Sequence, residues 1–384
     1  MSKSLIYLDN NATTQPFPDV VEAMAECFRE CYGNPGSRHA AGRRARQALE
    51  SARESMAAIL GADPKEVIFT SGGTESTNQA IFGLARGEPG LILQTAGEHP
   101  ATTESCRLLE SRGWKSHSLD VSASGLLIED QYDSLPWDDV RLATVILAHN
   151  ETGVVQDLGP LADVCTQHRV PFHVDAVQAV GKVPVHFHKL GATTLSLGAH
   201  KFHGPRGIGA LLVREGVEVS PYLFGGHQEG GTRPGTEPVA LAVGMARALE
   251  IWHAEAEQRM QRLSELRDQL QRGLIATCEP VAVNGSDAHR LPNTLNISLL
   301  GVDGEALLVA LDLEGIACSL GSTCASGSAE PAPSLVAMGC PPEVYRSAVR
   351  FSVGIENTAV EIEEAIRRIA VVVERLRNTA AATR

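Results

Sequence analysis

Short apolar runs alternate with helix-patterned segments through most of this chain. Val67-Ile68-Phe69-Thr70, Leu91-Ile92-Leu93, Val145-Ile146-Leu147-Ala148, Phe172-His173-Val174 and Thr194-Leu195-Ser196-Leu197 read as buried strands, as does 208–213. Helices are expected at 75–84 and about 101–111. Continuously apolar strands need cover on both faces, and strands separated by helices run parallel. The expected fold class is therefore α/β, with a mostly parallel central sheet flanked by helices. In such sheets, ligand groups gather at the carboxyl ends of the strands. Asp175, Asn150, the stretch 70–74 and Lys201 all follow a strand, so they are expected to converge there.

The texture changes near residue 255. A charged helix at 254–273 leads to shorter strands at 293–299 and 349–353, with a helix at 305–313 between them. A terminal helix is expected at 358–377, then a frayed tail at 380–384. This reads as a smaller α+β domain joined by the N-terminal strand Leu5-Ile6-Tyr7-Leu8. The expected division is 16–254 for the large domain, and 1–15 with 255–384 for the small one. A length of 384 residues accommodates both.

Hydrophobic residues make up 43%, enough for sizeable cores, and the formal net charge is −13. That charge argues against a nucleic-acid surface as the main business. No apolar stretch reaches membrane-spanning length. Met1-Ser2-Lys3-Ser4 runs straight into a strand, leaving no room for a secretory leader. The 8 cysteines are scattered and contain no CxxC pair. Cys27 and Cys31, four apart on an expected helix, fit two buried hydrophobes better than metal ligands. A reducing cytoplasm is the expected location.

Several segments carry chemistry. Asp175 on a buried strand and Lys201, after an apolar run, match what pyridoxal phosphate requires: a carboxylate for the pyridinium nitrogen and an amine for the aldehyde. Each residue also fits an ordinary ion pair. Thr70-Ser71-Gly72-Gly73-Thr74-Glu75 joins a strand to a helix. It fits a phosphate site or a plain βα turn with Thr74 as N-cap. His99 in Glu98-His99-Pro100 fits a ring-stacking or acid/base role, or a satisfied polar residue. Asn150 can hold a ligand oxygen or cap a turn. Arg350, inside an apolar strand, needs an anion, either an internal carboxylate or a substrate's. Cys324 sits in Gly321-Ser322-Thr323-Cys324-Ala325-Ser326-Gly327-Ser328, a small, polar context that cannot bury a thiol well. An exposed thiol with a lowered pKa is a nucleophile.

Taken together, these motifs resemble the cysteine desulfurases, pyridoxal-phosphate enzymes of fold type I, and their iron–sulfur-cluster/nitrogen-fixation branch in particular. The resemblance spans nearly the whole chain. It also includes Leu8-Asp9-Asn10-Asn11-Ala12-Thr13-Thr14, Gly33-Asn34-Pro35, Asn150-Glu151-Thr152-Gly153, Asp175-Ala176-Val177-Gln178, Gly225-Gly226-His227-Gln228-Glu229, Arg233-Pro234-Gly235-Thr236-Glu237 and Arg350-Phe351-Ser352. It implies Lys201 as the Schiff-base lysine, Asp175 at the pyridinium nitrogen, Gln178 at the ring hydroxyl and His99 stacked on the ring. Gly73, Thr74 and His200 fall at the phosphate. Thr236 would reach the phosphate of a neighbouring subunit, implying a homodimer. Asn150 and Arg350, with Asn34 nearby, match the substrate-carboxylate clamp. Cys324, in a loop at about 319–334, matches the persulfide-forming nucleophile.

The implied activity is sulfur removal from L-cysteine, giving L-alanine and a persulfide for an acceptor such as an iron–sulfur scaffold. A selenocysteine lyase, a cysteine/cystine C–S lyase and a non-catalytic sulfur-carrier or scaffold subunit are the alternatives. Gly198, His149, Ala325 and Ala332-Pro333 depart from the family pattern. Gly198 removes a possible phosphate hydroxyl, and Pro333 stiffens the distal part of the loop.

Overall fold

The computed structural model describes residues 4–320 and 332–382. The chain opens with a two-residue strand, β1 (Ile6–Tyr7). The central sheet contains β2 (Val67–Thr70), β3 (Leu91–Thr95), β4 (Lys115–Leu119), β5 (Val140–Ile146), β6 (Phe172–Asp175), β7 (Thr194–Gly198) and β8 (Gly209–Val213). Their spatial order is β2-β8-β7-β6-β5-β3-β4. Strands β4, β3, β5, β6 and β7 pair in parallel, and β8 is antiparallel to both of its neighbours. Every strand of the sheet except β8 therefore ends at the same edge.

Alternating side chains supply the two faces. Ile68, Ile92, Leu142 and Leu211 pack with Ile81, Leu84 and Leu109 from the helices Gly73–Leu84 and Pro100–Glu110. On the opposite face Phe69, Leu93, Phe172 and Val174 join Leu49 and Met56 of the helix Ala40–Leu60 and Met245 of Val239–Ala254.

The remainder of the chain adds β9 (Val281–Asn284), β10 (Thr294–Leu299), β11 (Ile316–Ala317) and β12 (Ala348–Ser352). Strands β12, β10 and β9 form an antiparallel sheet in that order, and β1 pairs in parallel with β11. A separate apolar cluster gathers Ile6, Leu8, Leu270, Ile297, Phe351, Ile369 and Val373. The N-terminal strand thus packs with the C-terminal elements. Truncating the fully buried Phe351 to alanine should cost about 3–5 kcal/mol. Urea unfolding checks this: the midpoint falls while the slope stays unchanged.

Three expectations need correction. The run 145–148 is not one strand: β5 ends at Ile146, and Ala148 bridges Val155 instead. The helix after β2 starts at Gly73 with Gly72 as its N-cap, so Thr74 is not the cap. The last helix, Ala359–Ala382, continues through most of the expected tail, in keeping with its alanine-rich end.

Candidate active site

The common edge of the large sheet opens into a cavity of about 520 Å³. Gly73 and Thr74 follow β2, and His99 follows β3. Asn150 lies beyond β5, Asp175 ends β6, and Lys201 closes the short turn after β7. Gln178 and His200 line the same space, and Arg350 enters it from β12. The sequence therefore anticipated most of the lining. A larger groove of about 940 Å³ lies among Leu60, Val185, Trp252 and Met260, apart from these groups. Its size carries less weight than the convergence of titratable groups in the smaller cavity.

Helix starts shape the floor. The turn before Gly73–Leu84 brings Gly73 against Val177, where an added Cβ would lie 2.5 Å from Val177 Cγ2. Only glycine allows that approach. It directs the first-turn N–H groups, which a helix leaves without intrahelical partners, toward the cavity. A Cβ on Gly198 would sit 3.3 Å from Gly73 N. The glycine that departs from the family pattern thus widens this corner. His99 is the N-cap of Pro100–Glu110, and its Nδ1 accepts the Ala101 N–H at 3.1 Å. Its Nε2 is therefore the nitrogen that carries the proton. Burial lowers the His99 pKa, with Asp175 opposing.

Asp175 Oδ1 accepts the Val177 N–H at 2.9 Å. Burial pushes this carboxyl above its ordinary range, although His99, Val177, Lys201 and Ser196 pull the other way. Beside it Glu98, which accepts the Ile146 N–H at 2.7 Å, is pushed up to about 8 by burial and by Asp175. Lys201 Nζ donates to the carbonyls of Asn11 (2.7 Å) and Ala12 (3.0 Å). Burial first, then the nearby Arg350, lower its pKa to about 8. Arg350, 6% exposed, donates to Asp9 Oδ1 at 2.7 Å and to the Asn150 carbonyl at 3.0 Å. Its Nε is buried without a hydrogen-bond partner among the described residues.

Other candidates fall elsewhere. Asn34 is exposed in a turn, where its Oδ1 accepts the Gly36 N–H, and it does not line the cavity. Thr236 is exposed and also outside the lining. Cys324 and Ala325 lie outside the described residues. His149 closes its turn, with Nε2 at 2.8 Å from the Gly97 carbonyl and Nδ1 accepting from Glu151 N. Pro333 opens a short helix, Pro333–Ala337.

The sequence reading missed Asp9, Asn11 and Lys182. Asn11 is fully buried and touches Gln178, Lys182, Lys201, Asn150 and Thr294 through hydrogen bonds. The clue available was that Asp9 and Asn11 stand inside a polar run directly after a strand.

The aminotransferase class-V family model matches residues 6–364. The chain is 43% identical to a cysteine desulfurase of Nostoc sp. over 376 residues, covering 97% of this chain and 94% of that protein. It is 41% identical to the cysteine desulfurase NifS of Azotobacter vinelandii, again over 376 residues, covering 97% of this chain and 94% of that one. Among solved structures, a NifS-like protein superposes with a TM-score of 0.90 at 33% identity, covering 97% of this chain and 100% of that one. This chain belongs to the class-V aminotransferases, with the α/β fold of fold type I. Within that class it belongs to the cysteine desulfurases.

Proposed function

We propose that the protein removes sulfur from L-cysteine, yielding L-alanine and a persulfide on Cys324, with pyridoxal phosphate as cofactor. The observation that carries this reading is the convergence in one cavity of the amine of Lys201, the buried carboxylate of Asp175 and the guanidinium of Arg350. The residues present fit the cofactor. Asp175 is a buried carboxylate at odds with its surroundings, which a cationic ring nitrogen would relieve. The Gly73 N–H, Thr74 and His200 form an anion cradle, and Gly198 leaves space in it. When bound, pyridoxal phosphate supplies an aldehyde that condenses with amines and a ring that draws electrons from the adjacent carbon.

The chain's own residues do the rest. Lys201 holds the cofactor and, once released, moves the substrate Cα proton. Its depressed pKa favours the neutral, basic form near pH 8. Asp175 keeps the ring nitrogen protonated, and Gln178 offers an N–H to the ring hydroxyl. Arg350, with Asn150 beside it, holds the substrate carboxylate. His99 stacks on the ring and handles the substrate thiol proton from the donor side, through the Nε2–H that the Ala101 contact leaves uncommitted. The Cys324 thiolate attacks the substrate sulfur. A protein S–S bond forms as the substrate C–S bond breaks, the C–S electron pair stays with the substrate Cβ, and a proton taken up there gives alanine beside the Cys324 persulfide.

We assign residues 16–254 to the cofactor-holding domain, and 1–15 with 255–384 to the domain carrying Arg350 and the Cys324 loop. Thr236 reaches the phosphate of a second copy in a homodimer. A cytoplasmic sulfur acceptor, such as an iron–sulfur scaffold, takes the persulfide. No helix among the described residues is long and apolar enough to cross a membrane.

Product analysis tests the reading. Incubation with L-cysteine and a reductant should give alanine and sulfide. Pyruvate without alanine would point to a C–S lyase, and no turnover at all to a carrier subunit. Cys324→Ala should keep the visible absorbance of bound cofactor and lose sulfide release almost completely. Unchanged sulfide release removes Cys324 from the reaction.

A further inference from the structure

Lys182 is 4% exposed, and nothing in the proposed reaction uses it. It follows the turn at Gly181, beyond Asp175 and Gln178. Its Nζ donates to Asn11 Oδ1 at 2.9 Å and to Gln178 Oε1 in a short contact. Burial, reinforced by Lys201 and Arg350, pushes its pKa well below the ordinary lysine value. Two of its N–H donors are committed, each to an amide oxygen.

An amide side chain has an oxygen at one end and an NH2 group at the other, and its partners decide which end faces which way. Asn11 is turned by more than one neighbour, because Asn293 Nδ2 also donates to its Oδ1 at 3.1 Å. Gln178 Oε1, among the described residues, has Lys182 alone. With the oxygen held there, Gln178 Nε2 donates to the Asn11 carbonyl at 2.9 Å. That carbonyl is the one that accepts from Lys201 Nζ at 2.7 Å. The second Nε2 hydrogen remains available on a residue that lines the cavity.

We propose that Lys182 is a positioning residue that fixes the Gln178 amide so that an N–H, and not an oxygen, faces the ring hydroxyl of the cofactor. This rests on the reading of the cavity as a pyridoxal-phosphate site. Without the amine, Gln178 Oε1 is a buried acceptor with no donor. Rotating the side chain relieves that penalty and withdraws the N–H from the ring.

The test is equilibrium uptake by the apoprotein of pyridoxal phosphate and of its 3-deoxy analogue, which lacks the ring hydroxyl. One hydrogen bond of ordinary strength corresponds to a preference of about fivefold to tenfold for the natural compound. Lys182→Met removes both donors at similar length, and the preference should fall to about one. Lys182→Gln retains two N–H donors and should keep most of the preference. It also carries the test if the methionine variant does not fold. A Lys182→Met protein with the wild-type preference overturns the proposal, whatever its melting temperature, and so does a Lys182→Gln protein that has lost it. Failure of the underlying reading looks different: the wild-type apoprotein then takes up neither compound.

Discussion

Lys201→Ala should abolish alanine formation from L-cysteine, lowering the rate by at least about a thousandfold, the scale of a lost general base. The side chain is both the cofactor's anchor and the proton carrier, so no neighbour replaces it. Lys182, the other buried amine, is committed to Asn11 and Gln178. Chromatographic quantification of alanine checks the effect. The amine itself can be titrated in the wild-type apoprotein by its rate of pyridoxal-phosphate capture. With a pKa of about 8, capture should rise between pH 7 and 9 with a midpoint near 8. Arg350 is the largest lowering influence after burial. Arg350→Ala should therefore shift the midpoint upward, since removing a nearby positive charge favours the protonated amine.

Asp175→Asn should lower alanine formation by about 10²- to 10³-fold, the cost of losing one preorganised charge aimed at the reacting system. The KM for L-cysteine should change far less, because the substrate carboxylate is held at Arg350. Stability moves the other way. The folded-state pKa of Asp175 is raised above its ordinary value, so the native apoprotein binds the extra proton. The stability this group contributes is present at low pH and is lost as pH rises through the folded-state pKa. Asparagine carries no such charge and keeps an oxygen for the Val177 N–H. At pH 8 the variant apoprotein should melt no lower than wild type. A markedly lower melting temperature would show that the carboxylate is a structural anchor.

The strands that the sequence reading found are those buried on both faces, such as β6 and β7. Strand β4 escaped because it lies at the sheet edge, with Lys115, His117 and Ser118 exposed, and so carries no apolar run. The site was legible wherever one residue type does one job after a strand: Asp175, Lys201, Asn150 and the Gly73 turn. Asp9 and Asn11 were not, because their partners lie more than a hundred positions away and are reached through long-range contacts such as the β1–β11 pairing and the Asp9–Ser352 bridge. Lys182 was hidden by habit, since a lysine read from sequence is assigned to the surface. Asn34 and Thr236 were proposed from resemblance alone, and both stand exposed, away from the cavity.

The ion pair between Arg350 and Asp9 has a consequence for how the substrate is captured. A free arginine surrenders considerable rotamer freedom on gripping a ligand. Here Asp9 and the Asn150 carbonyl have already chosen the rotamer. The arriving amino acid therefore meets a rigid receptor, and most of the ordering entropy was lost when the chain folded. Preorganisation of this kind favours small, weakly binding metabolites, which have few contacts with which to offset the immobilisation of their host.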